Sequence, residues 1–183
     1  MTAILHISTK YYSLICSDTR ESNIFGYNDN INKQIKTKNM GFITGNGMVD
    51  FLKSIKIYTE ENTIKDPYDV LEFFKEEQKN SKYLKSELIR TNILFNFVRS
   101  FTGEVVNILI RGVEPQLEMC SKNKVNYLLS EKVNNTFFYL LLLKYSHMFD
   151  FYKFNESTTL KNIEGLKSIV KETPPTLGIF SSS

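Results

Sequence analysis

Hydrophobic spacing in this chain changes period in blocks, not element by element. Thr2, Ile4, His6 and Ser8 alternate with Ala3, Leu5, Ile7 and Thr9, and the alternation resumes from Tyr11 to Asp18. A more polar run over 31–38 and a buried one over 40–44 complete four strands, joined closely enough for antiparallel pairing. The period then lengthens. Val49, Leu52, Ile55 and Tyr58 keep helical spacing, and Asp66-Pro67 opens a longer charged helix to about Arg90, interrupted near Asn80-Ser81.

Strands return over 92–99, 105–111, 116–120 and 124–129. Helices follow over 135–149 and 157–171, the second with Leu160, Ile163, Leu166 and Val170 on one face. Thr173-Pro174-Pro175 stops that helix, and 176–180 reads as a last strand. Strand blocks divided by helix pairs predict an α+β fold: a four-layer α/β/β/α sandwich, two antiparallel sheets between helix layers, in a single domain over 1–183. A doubly wound parallel sheet needs strict alternation and is excluded.

Composition narrows the function. Twenty-three Lys+Arg against 20 Asp+Glu leave a dispersed +3, which gives nucleic acid nothing to bind. Two cysteines and two histidines argue against a metal site, and no cofactor is expected. The longest apolar run, Phe137 to Leu143, ends at Lys144, well short of the roughly 20 residues a bilayer requires. It reads as core or as an oligomer interface. With no signal-peptide pattern at the amino end, the expectation is a cytoplasmic protein without membrane contact.

The chemistry points to the chain's start. Removal of Met1 would leave Thr2 with a nucleophilic hydroxyl and an α-amine base of pKa about 7.7–8.0 in one residue. Asp18 lies at the far end of the return strand, beside Thr2 if the hairpin is tight. Lys33 opens the next strand, placed to pair with Asp18. Gly45-Asn46-Gly47 ends a strand at a helix start, where N–H groups can hold an oxyanion. His6 and Cys16 read as core residues, the one hydrogen-bonded or packed, the other a small apolar filler.

Thr2, Ser17-Asp18-Thr19-Arg20, Lys33 and Gly45-Asn46-Gly47-Met48-Val49-Asp50 together resemble the proteasome-type branch of the amino-terminal-nucleophile hydrolases, including the bacterial proteasome-like peptidase. Residues 110–117 are similar to that family's central strand, turn and strand. The resemblance implies Thr2 as nucleophile, Asp18 and Lys33 as the pair that tunes it, and Gly47, with Gly45 as second choice, as oxyanion donor. Ser130 stands where the family has a serine after its seventh strand, though Glu131 replaces the following glycine. It further implies a threonine-type amidohydrolase, a peptidase acting on peptide or protein substrates. Such a subunit would form a homo-oligomer and work with an unfoldase partner. The alternative is a non-catalytic proteasome-like scaffold or interaction subunit that keeps the sandwich and assembles through its helices.

Overall fold

The computed structural model describes residues 3–18, 21–23, 26–28, 33–39, 41–80, 82–99, 101–129 and 133–173. Six strands come first: β1 (Ala3–Ser8), β2 (Ser13–Ser17), β3 (Glu21–Asn23), β4 (Gly26–Asn28), β5 (Ile35–Lys36) and β6 (Phe42–Asn46). Helices α1 (Val49–Glu61), α2 (Pro67–Gln78) and α3 (Lys85–Leu88) follow. Then come β7 (Asn92–Val98), β8 (Val105–Arg111), β9 (Glu118–Met119) and β10 (Val125–Leu129). The described chain closes with α4 (Asn135–Lys144), a 3-10 turn (Ser146–Met148) and α5 (Glu156–Glu172).

Two antiparallel sheets organise these elements. One has the order β10-β1-β2, the other β5-β6-β7-β8-β9, and β3 pairs with β4 as a separate ribbon. Every residue of β1 is buried, because side chains alternate across a strand and here both faces are covered. Ala3, Leu5 and Ile7 pack with Phe138 and Leu141 of α4 and with Leu166 and Ile169 of α5. Ile4 packs instead with Leu94 of β7, Leu109 of β8 and Leu128 of β10. The five-stranded sheet is likewise two-sided. Ile43, Ile93, Phe95, Ile108 and Ile110 pack with Phe51, Leu52 and Ile55 of α1 and Val70, Leu71 and Phe74 of α2. Phe51 meets Phe74 and Tyr83 edge-on, with centroids 4.9 and 5.5 Å apart, an arrangement that suits the ring quadrupoles.

The sequence reading needs five corrections. Among the described residues the opening has six strands, not four: β3 and β4 were unforeseen because their polar residues carry no alternation. Of the strand expected over 31–38 only Ile35–Lys36 pairs among the described residues, and the next described strand begins at Phe42 and runs on through Gly45 to Asn46. The long second helix stops at Gln78, and only one turn, Lys85–Leu88, forms beyond the break. The strand over 116–120 shrinks to Glu118–Met119, since β8 offers it only Ile108 and Leu109. The helix from Asn135 ends at Lys144, not 149. The expected strand over 176–180 lies outside the described residues. No described helix is long and apolar enough to cross a membrane.

Candidate active site

The β1–β2 hairpin turns on Thr9. Its Oγ1 accepts from the Tyr11 and Tyr12 N–H groups at 3.1 and 3.0 Å, a side-chain turn that needs no glycine. From there the register runs Ser8↔Ser13 to Ile4↔Ser17, and the Asp18 N–H donates to the Ala3 carbonyl at 3.2 Å. Asp18 therefore stands opposite the residue that follows Thr2.

Lys33 Nζ donates to Asp18 Oδ1 at 2.5 Å, and the two side chains are only 10% and 22% exposed. Burial pushes the Asp18 carboxyl above the usual carboxylate range. The Lys33 hydrogen bond and charge pull it back, helped by the Ala3 backbone, without cancelling the desolvation. The lysine segment is clamped from two sides. Lys56 of α1 donates from Nζ to the Lys33 carbonyl at 2.9 Å, and Gln34 Nε2 donates to the Ile15 carbonyl of β2 at 3.1 Å.

Gly47 forms the bend from β6 into α1. Its φ is 119°, and a Cβ would lie 2.4 Å from Thr91 Oγ1 and 2.5 Å from Thr91 Cα, so only glycine fits. Thr91 Oγ1 also accepts from the Met48 N–H at 2.9 Å, which fixes the bend. Helices α2, α4 and α5 open on Asp66, Asn134 and Asn155, whose side chains take a first-turn N–H. α1 opens on Met48 with no side-chain cap, so its exposed first turn keeps its N–H donors and the positive end of the helix dipole. Gly45 is different: it is buried in the β6–β7 ladder opposite Ile93. A side chain there would strike Leu52 and the Asn92 carbonyl, which is reason enough for a glycine at that position. A hollow of about 430 Å³ opens beside the bend, lined by Met48, Asp50, Ser54, Lys82 and Tyr83. Gly47→Ala is expected to cost about 2 kcal/mol in urea denaturation, from backbone strain and the overlap with Thr91.

Of the five residues singled out from sequence, the structure brings Asp18 and Lys33 into contact and sets Gly47 on the β6–α1 bend. Thr2 and Ser130 lie outside the described residues. Among the described residues no group of three or more metal-ligating side chains gathers. His6 is a core residue, 3% exposed. The sequence reading missed Lys56, Gln34 and Thr91. Each acts across 19 or more residues of chain, with no local spacing to reveal it.

No protein-family model and no curated protein matches this sequence. Solved structures do. The chain is similar to the Anbu (Gly-1) mutant from Hyphomicrobium sp. strain MC1, with a TM-score of 0.62 over 94% of this chain and 76% of that one. The fold is proteasome-like. At 11% identity the likeness to Anbu is one of fold: a mixed α+β chain with two antiparallel sheets and flanking helices.

Proposed function

We propose that this chain is a proteasome-like amino-terminal-nucleophile hydrolase, a cytoplasmic threonine-type peptidase that acts once Met1 is removed. The Asp18–Lys33 pair beside Ala3 carries the reading. The likeness to the Anbu fold supports it, as do the three core clusters. They fit one domain layered as α4–α5, three-stranded sheet, five-stranded sheet and α1–α3, the four-layer sandwich.

In this mechanism Thr2 Oγ attacks the scissile carbonyl while the α-amine takes the hydroxyl proton. The nearby Lys33 ammonium disfavours a second positive charge and keeps that amine a free base near neutral pH; Asp18 holds the lysine in place. The Gly47 N–H and the first turn of α1 steady the tetrahedral oxyanion. As the carbon–nitrogen bond breaks, the α-amine returns the proton to the leaving amine. Water then hydrolyses the Thr2 ester. The substrate is a peptide or unfolded protein, delivered by an unfoldase to a homo-oligomer.

The test is chemical. Protein whose intact mass verifies a free Thr2 should take up one equivalent of a peptide electrophile that captures both hydroxyl and amine, and should cleave peptides. Thr2→Ala should do neither. A free Thr2 that is inert to both would sink the peptidase reading.

One observation favours a second reading, a non-catalytic scaffold or interaction subunit. α4 buries Phe138 and Leu141 but leaves Phe137, Tyr139, Leu140 and Leu143 about half exposed, an apolar face that suits assembly. Native mass spectrometry showing a stable assembly of chains that keep Met1 would favour it.

A further inference from the structure

A second cleft, of about 420 Å³, lies between the two sheets, where β9 and β10 end their rows among the described residues. His6, Leu109, Arg111, Glu118, Cys120 and Lys124 are among the residues that line it. Its size falls in the range of small-ligand sites. His6 pairs with Asn126 of β10, three residues along β1 from Ala3, so the cleft is about 10 Å from the Asp18 end of the strand.

The polar network behind His6 decides what the cleft offers. Asn107 Oδ1 accepts from Ser13 Oγ at 2.5 Å and also from Asn96 Nδ2. With its oxygen so engaged, Asn107 presents Nδ2 to His6 Nδ1, 2.9 Å away. His6 Nδ1 is therefore an acceptor, and the ring proton sits on Nε2. That N–H has no partner among the described residues, although the histidine is 97% buried and lines the cleft.

The walls add charge of a defined kind. Arg111 donates from Nε to both Glu118 carboxylate oxygens, at 3.0 and 3.1 Å, and its Nη groups are unused among the described residues. Lys124 forms no ion pair among them. One carboxylate against two cations leaves a single positive charge, which suits a monoanion. A doubly charged phosphate would meet Glu118 without enough charge to offset it. Burial pushes the Cys120 thiol up to about 11, so it stays neutral and does not repel an anion.

We propose that this cleft binds a small carboxylate, which accepts from His6 Nε2–H, Arg111 and Lys124 and rests an apolar stub on Leu109 and Met119. The carboxylate belongs either to a free small acid or to the end of a peptide. The site is present in the uncut chain and does not depend on Thr2 chemistry.

The test follows the His6 imidazole by nitrogen-15 NMR during titration with N-acetylalanine, its amide, a tetrapeptide ending in alanine, and inorganic phosphate. A saturating shift with the acid and not with the amide is expected. Lys124→Met should weaken binding about tenfold, and Glu118→Gln should tighten it. Both residues are solvent-accessible, so the fold tolerates the changes. A tighter tetrapeptide assigns the site to peptide ends, and equal affinity assigns it to free acids; either upholds the proposal. It is overturned by the absence of a saturating shift, by equal binding of the amide, by tighter binding of phosphate, or by variants that change nothing.

Discussion

Exchanging Lys33 for methionine is expected to cost about 3–5 kcal/mol of stability and to abolish reaction of Thr2 with an electrophile. The stability loss comes from what remains. Asp18 is mostly buried, and without its ammonium partner only the Ala3 backbone and limited contact with water offset its charge. Its carboxyl, already raised by burial, rises further. Below the range where carboxyls ordinarily titrate, Asp18 is neutral in folded and unfolded chain alike, so the deficit of the variant should fade in acid. Changing Asp18 to leucine in the same chain should recover most of the loss, because a matched apolar pair carries no stranded charge. Urea denaturation of the two single variants and the double variant measures this coupling. A Lys33→Met protein as stable as the parent would show that the ion pair contributes nothing. The two functional readings part here. In a peptidase the double variant regains stability and remains inert, whereas a scaffold keeps its assembly state throughout.

The second large effect is acid lability centred on His6. Burial lowers its imidazole from the ordinary 6.5 to about 4. In the unfolded chain the ring takes its proton near 6.5, so between that value and about 4 the unfolded state binds more protons. Stability is then complete above pH 6.5, falls as the pH drops through this window, and levels off below it. The total is about 3 kcal/mol. The geometry says why the site cannot adapt: a proton on Nδ1 would face the Asn107 Nδ2 donor, and Asn107 cannot turn round while Ser13 and Asn96 hold its oxygen. His6→Gln keeps an acceptor for Asn107 and has nothing to protonate. Denaturation curves recorded from pH 7 to 4 should lose their slope in that variant. An unchanged slope would assign the lability to the carboxyls instead.

Legibility from sequence tracked the range of each interaction. β7 and β8 carry full apolar faces, so period alone found them within a residue; α5 was found as closely, but its buried face is Asn162, Gly165, Leu166 and Ile169, with Leu160 of the expected face exposed. Asp66-Pro67 gave the start of α2, where Asp66 accepts from Tyr68 and Asp69 accepts in return from the Asp66 N–H. The seven apolar residues from Phe137 to Leu143 mark no single face, so the end of α4 was overshot: the helix stops where Tyr145 passes into the 3-10 turn. At the candidate site, the alternation of the hairpin was enough to put Asp18 at the end of β2, where its N–H meets the Ala3 carbonyl. What steadies Lys33 was hidden, because Lys56 reaches it from α1, 23 residues on, and Gln34 by way of β2. The edge cleft was hidden for the same reason. It needs His6 and Arg111 together, from strands of different sheets.

The placement of β1 also bears on how the chain is made. Ala3 pairs with Leu129 and Ile7 with Val125, so β1 must wait for a strand that leaves the ribosome much later. Until then a nascent chain carries Ala3, Leu5 and Ile7 without the helices that cover them, while the five-stranded sheet and its helices can gather from contiguous sequence. Closure of the three-stranded sheet therefore comes late, once β10 has been made. In a peptidase of the proposed kind, the reaction centre would come into being only after that late event.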